Sequence, residues 1–232
     1  MIRFPHLSFD LWMTLIRSNP RFKLEKINLL HSKYNPQSKS IDEVKTILRK
    51  IDVNSTRLTE ITGRNIDPLI MWGMILLEMS YDEEFVLKEE ILVELDSKIQ
   101  QLCLDYMPIP YDENTVKELE KLYKITDLMT IASNTGFISG VTMRKVLKEI
   151  GILKFFRGEV FSDECGFAKP SGLFFEKVKK LSPYGSFGQK WIMHIGDNVN
   201  ADIIGAELAG IQSYQINSND CKITDIYGFL KS

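Results

Sequence analysis

Leu7-Ser8-Phe9-Asp10-Leu11-Trp12-Met13-Thr14-Leu15 is the stretch on which the reading of this chain turns. A short apolar run ends in a carboxylate, and Thr14 follows where a buried strand passes into a loop. Far downstream, Ile195-Gly196-Asp197-Asn198-Val199-Asn200-Ala201-Asp202 repeats the arrangement. Open α/β sheets build their sites at the carboxyl ends of strands. Two strands that each end in an acid therefore predict a carboxylate pair that one metal ion can bridge.

Between these stretches the texture changes twice. From about residue 21 to 108 helical periodicity dominates and no convincing strand is expected. The pattern predicts helices over Phe22–Tyr34, Ile41–Ile51 and Leu69–Met79, the last opened by Asp67 as N-cap and Pro68 at the first helical position. A long helix is expected over Tyr81–Tyr106, with Phe85, Leu92, Leu95, Ile99 and Leu102 at helical spacings, ending before Met107-Pro108-Ile109-Pro110. After that, strands and helices alternate. Strands are expected at Leu128–Ala132, Val160–Phe161, Trp191–Ile195 and Ser213–Ile216. Helices are expected at Asn114–Tyr123, Ser139–Ile150, Ser171–Leu181 and Ala201–Ala209. Such alternation implies a parallel sheet with right-handed crossovers. The expected fold is α/β: a Rossmann-like core of residues 1–17 and 110–232, with an inserted all-helical cap over 18–109.

Composition narrows the function classes. The 232 residues carry a net charge of −2, which gives no reason to expect nucleic acid or an anionic membrane as partner. No stretch approaches the roughly 20 apolar residues of a membrane span, and the first ten residues lack the apolar run of a signal peptide. Cys103, Cys165 and Cys221 are odd in number and far apart, without zinc-like spacing. They are expected to be free thiols of a cytoplasmic protein.

Four elements fall just after expected strands, so a parallel sheet brings them to one edge: Asp10, then Ser133-Asn134 after Thr130-Ile131-Ala132, then Lys169-Pro170, then Gly196-Asp197 with Asp202. Each has an ordinary reading alone, as a cap, a loop, a helix start or a turn. Together they fit phosphoryl transfer. An aspartate can attack phosphorus and form an acyl phosphate. Two anions must approach, so a cation is needed, and Mg²⁺ held by one or two carboxylates plus phosphate oxygens is the common solution. Asp10 and Asp197 would supply the carboxylates. Lys169 would offset the remaining charge and keep Asp10 ionised, and Ser133 would donate to a phosphoryl oxygen.

This set resembles the haloacid dehalogenase-like hydrolase superfamily, most of whose members are phosphatases acting on small phosphorylated substrates. The resemblance runs from residue 10 to 202. It implies Asp10 as nucleophile with Thr14 four residues on, Ser133 and Asn134 at the substrate, and Lys169 as the family lysine. Gly196, Asp197 and Asp202 match the last acidic element. It also implies a Mg²⁺ held by Asp10, Asp197, Asp202 and the backbone carbonyl of Trp12, and a helical cap that closes over the substrate.

One position departs from the pattern. Phosphatases of this family carry a second Asp two residues after the nucleophile, a general acid/base worth roughly 10²–10⁴ in rate. Here that residue is Trp12, whose indole does not titrate, and Met13 stands where a Gly is common. Three readings follow: a Mg²⁺-dependent phosphatase for substrates with good leaving groups or with an acid from the cap; a metal-independent 2-haloacid dehalogenase; or a catalytically weak binding protein. Asp197 speaks against the second, because such dehalogenases typically lack that acid.

Overall fold

The computed structural model describes residues 4–80, 87–183 and 190–231. In chain order the strands are β1 (His6–Phe9), β2 (Ile16–Arg17), β3 (Ile109–Pro110), β4 (Leu128–Ser133), β5 (Glu159–Phe161), β6 (Ile192–Gly196) and β7 (Gln212–Gln215). The helices are α1 (Pro20–Lys33), α2 (Ile41–Thr62), α3 (Pro68–Met79), α4 (Glu89–Asp105), α5 (Thr115–Tyr123), α6 (Gly140–Glu149), α7 (Ser162–Cys165), α8 (Gly172–Leu181), α9 (Gly205–Leu208) and α10 (Ile223–Lys231).

Five strands form one parallel sheet in the order β5-β4-β1-β6-β7, with Phe9 level with Ile131 on one side and Ile195 on the other. The fold is therefore α/β, as the alternating texture predicts. Side chains alternate between the two faces of a strand. Leu7, Phe9, Met129, Ile131, Met193 and Ile195 join one apolar core. The opposite face holds Ala132, Ile192, Phe174 and Phe175. At its centre that second face turns polar. His6 Nε2 meets Thr130 Oγ1 at 2.8 Å, and Ser8 Oγ meets His194 Nδ1 at 3.0 Å, all four residues buried. Buried polar groups need such partners, and this row leads straight to the acids at the strand ends.

α1 to α4 lie between β2 and β3, which pair antiparallel, Ile16 opposite Pro110. This small ribbon closes the ends of the helical insertion; its strands are too short to show in periodicity. Ser40 and Glu43 form a capping box at the start of α2. That helix runs to Thr62, well past the expected end at Ile51. The buried stripe Val44, Ile47, Leu48 and Ile51 continues at helical spacing as Ser55 and Thr59, so the face persists while its side chains change from apolar to hydroxyl. Gly63 ends it at φ +63°, where a Cβ would also stand 2.7 Å from Ser171 Cβ. Asp67 and Pro68 open α3 as expected, with Asp67 accepting from the Leu69 amide at 2.8 Å. α4 begins at Glu89; residues 81–86 of the helix expected from Tyr81, Phe85 among them, lie outside the described residues. The helix expected over Ala201–Ala209 is wound wide, in π fashion, over Val199–Ile204 before α9.

Candidate active site

β1 carries Asp10 to the sheet edge, and its amide donates to Ile195 O at 2.9 Å, continuing the ladder by one residue. β4 delivers Ser133, whose hydroxyl donates to Asp10 Oδ1 at 3.2 Å. Lys169 arrives from the loop before α8. Its ammonium donates to Asp10 Oδ1 at 2.7 Å, Asp202 Oδ1 at 2.6 Å and Ala132 O at 2.7 Å. All three ammonium protons are thus used, inside a site where Lys169 and Asp202 are each 1% exposed. The structure brings together Asp10, Thr14, Ser133, Lys169, Asp197 and Asp202 from distant parts of the chain.

Asn134 does something different from what its loop position suggests. Its amide donates to Lys169 O at 2.9 Å and accepts from Lys169 N at 2.8 Å, so both side-chain atoms clamp the lysine backbone. Asp202 is likewise engaged: Oδ1 takes Lys169 and His194 Nε2, the latter at 3.1 Å, and Oδ2 accepts from the Asn198 amide at 3.0 Å. His194, Asn198 and Gly196 complete this corner. Strand register sets the place of His194 on the polar face, between Ser8 and Asp202.

Carboxylate oxygens of Asp10, Asp197 and Asp202 all lie within 4.8 Å of one another. Three carboxylates against one ammonium leave an excess of two negative charges, since burial pushes the His194 pKa down and keeps that ring neutral. The electrostatic response is clear. Burial, and then Asp10 and Asp202, push the Asp197 carboxyl up to about 7. Burial also raises Asp10, against the pull of Lys169. Burial alone would raise Asp202, but Lys169 and His194 outweigh it and hold it well below the carboxylate range. Burial alone would lower Lys169, and the two carboxylates outweigh it too.

A divalent cation fits this set. Among the described residues, Asp197 Oδ1 accepts only from the Thr14 hydroxyl, at 3.3 Å. Among the described residues Asp10 Oδ2, Asp197 Oδ2 and the Trp12 carbonyl accept no hydrogen bond. These are hard oxygen donors facing an excess of negative charge, the chemistry that suits Mg²⁺. Trp12 packs its ring partly against the apolar core and lines the cavity in front of Asp10. Met13 holds φ +62°, a costly region for a residue with a Cβ; Asn217 braces it by donating to Met13 O at 2.8 Å and Thr14 O at 2.9 Å.

The helical insertion touches the same corner. Glu60 of α2 accepts from Asn198 Nδ2 at 2.9 Å and Asn200 Nδ2 at 3.0 Å. Gly63 O accepts from the Ala168 amide at 3.0 Å, one residue before Lys169. Asn65 Oδ1 accepts from Ser162 Oγ at 2.8 Å. A cavity of about 1100 Å³ lies between insertion and sheet, bounded by Asp10, Trp12, Lys169 and Asp197 on one side and by α1 and α2 on the other.

Comparison with known proteins agrees with this arrangement. Residues 7–210 match the family described as haloacid dehalogenase-like hydrolase. A glyceraldehyde 3-phosphate phosphatase of Methanothermobacter thermautotrophicus is 36% identical over 97 residues, 40% of this chain and 42% of that protein. YfnB of Bacillus subtilis, a HAD-hydrolase by name, is 34% identical over 76 residues, 33% of this chain and 32% of its own length. The matches thus span less than half of either relative. The magnesium-bound crystal structure of YfnB superposes with a TM-score of 0.76 at 21% identity, over 99% of this chain and 100% of that one. A 2-haloacid dehalogenase of Pseudomonas syringae gives 0.66 at 16% identity, over 100% and 99%. Fold likeness alone therefore does not separate phosphatase from dehalogenase.

Proposed function

Since the chain belongs to the haloacid dehalogenase-like hydrolase family, we propose that it is a Mg²⁺-dependent phosphatase for small phosphorylated substrates with good leaving groups. One observation carries the reading: Asp10 and Asp197 face each other with open carboxylate oxygens, while Lys169 ties Asp10 to Asp202. Residues 18–109 serve as the cap and residues 1–17 with 110–232 as the core. Asp10 Oδ2, Asp197 and the Trp12 carbonyl would hold the ion, which when bound neutralises charge on the phosphoryl oxygens.

The chain's own residues do the rest. Lys169 and Ser133 fix the Asp10 carboxylate; with substrate present, Ser133 offers a donor to a phosphoryl oxygen and Lys169 contributes its positive charge. The Asp10 carboxylate attacks phosphorus, the bond to the leaving oxygen breaks, and an aspartyl phosphate remains. Water then attacks that phosphorus, regenerating Asp10 and releasing phosphate. Asp202 positions Lys169. Among the described residues the other acids on the cavity are Asp52 and Glu60; Glu60 is an acceptor for two amides, and Asp52 pairs with Arg49 at 3.3 Å. With no acid among the described residues poised for the leaving oxygen, substrates that leave as stable anions, acyl or aryl phosphates, are favoured.

Trp12 on the cavity wall and nearby Arg17 and Arg49 also suit a dehalogenase, whose leaving halide needs no proton. The open Asp197 carboxylate weighs against it. The deciding assay is phosphate release from acyl and aryl phosphates with Mg²⁺, comparing wild type with Asp10→Asn, alongside halide release from 2-haloacids in EDTA. Phosphate release absent from wild type across the panel would sink the phosphatase reading.

A further inference from the structure

Three polar side chains stand abreast across the middle of the sheet. Ser8 on β1 is level with Thr130 on β4 and with His194 on β6. All three are fully buried, at a depth where a polar group is costly unless it is bonded. Thr130 turns away from the strand ends, to His6 at 2.8 Å. His194 turns toward them. Its Nε2 lies 3.1 Å from Asp202 Oδ1 and its Nδ1 lies 3.0 Å from Ser8 Oγ. Phe175 packs edge-on against the same ring, with centroids 5.3 Å apart. The imidazole is therefore held at both nitrogens and on one face.

Asp202 has a use for that hold. Its Oδ2 accepts from the Asn198 amide at 3.0 Å, a bond about which the carboxylate can still turn. An ionised carboxylate only accepts, so His194 Nε2 carries a hydrogen and fixes Oδ1 as well. Oδ1 is the oxygen that Lys169 uses, at 2.6 Å. Lysine is a flexible four-carbon stem with a compact charge at its end. The Lys169 ammonium thus lies where its three acceptors put it: Asp202 Oδ1, Asp10 Oδ1 and Ala132 O. A shift of Asp202 Oδ1 draws the cation off Asp10. Asp202 is 1% exposed and His194 fully buried, so water is not at hand to replace a lost donor.

We propose that His194 is a positioning residue for the nucleophile. Braced by Ser8 across the β1–β6 boundary, it fixes Asp202, and through Asp202 it fixes Lys169 against Asp10. The His6–Thr130 pair is the built-in comparison: it is equally buried on the same sheet face, but it leads away from the acids. The consequence for phosphoryl transfer rests on the function proposed above; the brace itself does not.

The test reads the Lys169 ammonium by heteronuclear NMR of the whole protein, labelled at lysine nitrogen. With all three protons bonded, this group should exchange slowly with water. His194→Leu should speed its exchange about tenfold, the lower end of the effect of removing an outer partner of a metal-site residue, and Ser8→Ala by less. His194→Gln returns an N–H donor and should recover most of the protection. Thr130→Val breaks the His6 pair and should lower the melting temperature while leaving Lys169 exchange unchanged. Exchange unaltered in His194→Leu, a Gln variant no better than Leu, or a Thr130→Val effect equal to that of His194→Leu overturns the proposal. If His194→Leu fails to fold, Ser8→Ala against Thr130→Val decides, and equal exchange in those two overturns it. Kinetics separate the two claims. In His194→Leu, kcat for an aryl phosphate should fall about tenfold with KM held within about twofold. A wild type that shows the exchange pattern but releases no phosphate refutes the phosphatase and leaves the brace; release with kcat unaltered in His194→Leu refutes the positioning role.

Discussion

The Asp202 carboxylate occupies the space that a side chain on Gly196 would fill. A Cβ built on Gly196 overlaps Asp202 Cγ and Oδ2, so the last residue of β6 must be glycine for Asp202 to reach Lys169 and His194. Gly196→Ala should push Asp202 away and leave Lys169 and Asp10 with a broken buried network. Breaking a buried pair costs about 3–5 kcal/mol. Urea unfolding should show a loss of that order; a loss under about 1 kcal/mol would mean that the carboxylate has an easy second position.

Trp12→Asp supplies the acid that the family resemblance implies at this point. Its effect should depend on the leaving group: turnover of alkyl phosphates rises about 10²-fold, while aryl phosphates change little. A uniform rise, or none, across a leaving-group series would show that protonation is not what the indole withholds.

At the proposed site, Asp197 would make Mg²⁺ binding depend on pH. Its folded-state pKa of about 7 exceeds the unfolded carboxyl near 4. Between those values the metal-free folded protein keeps a proton that the unfolded chain has lost, so its stability falls as pH rises through that window. Mg²⁺ must displace this proton. The rise in melting temperature on adding Mg²⁺ should therefore be small near about pH 5 and level off above about pH 7.5. Asp197→Asn should flatten the profile, and a wild-type shift that is constant with pH would contradict the assignment.

Glu60 ties α2 to Asn198 and Asn200 at the cavity rim. Hydrogen bonds to a charged group contribute roughly 1.5–3 kcal/mol when fully formed, less at this half-buried site. Glu60→Ala should speed amide hydrogen exchange about tenfold at Gly63, Asn65 and Ala168, whose amides bond Thr59, Gly166 and Gly63 carbonyls. Unchanged protection there would mean that the insertion is held by other contacts.

Much of this site was legible because its residues stand at strand ends, where apolar runs stop at an acid or a hydroxyl: Asp10, Ser133 and Asp197. Lys169 was legible by order along the chain. What stayed hidden depends on which way a side chain turns. Nothing in Ser133-Asn134 says that Asn134 clamps the Lys169 backbone, and nothing in the helical stretch says that Glu60 reaches Asn198. The end of α2 was misplaced for a related reason: Ser55 and Thr59 keep the helical spacing but not the apolar character that marks a stripe. β2 and β3, at two residues each, are below what periodicity can resolve.

The sheet order also sets a timetable for synthesis. β1 lies at the centre, yet His6 pairs with Leu128 and Ile192. As the chain leaves the ribosome, Leu7 and Phe9 emerge early and wait for both neighbours. The helices that follow β2 can dock on one another in the meantime, through α1 with α2 and α2 with α3. Pairing across such separations is slow, and unpaired strands are prone to aggregate meanwhile. A nascent chain halted before β6 should thus hold a folded helical insertion beside an unmade sheet, and it is the kind of client that a holdase chaperone recognises.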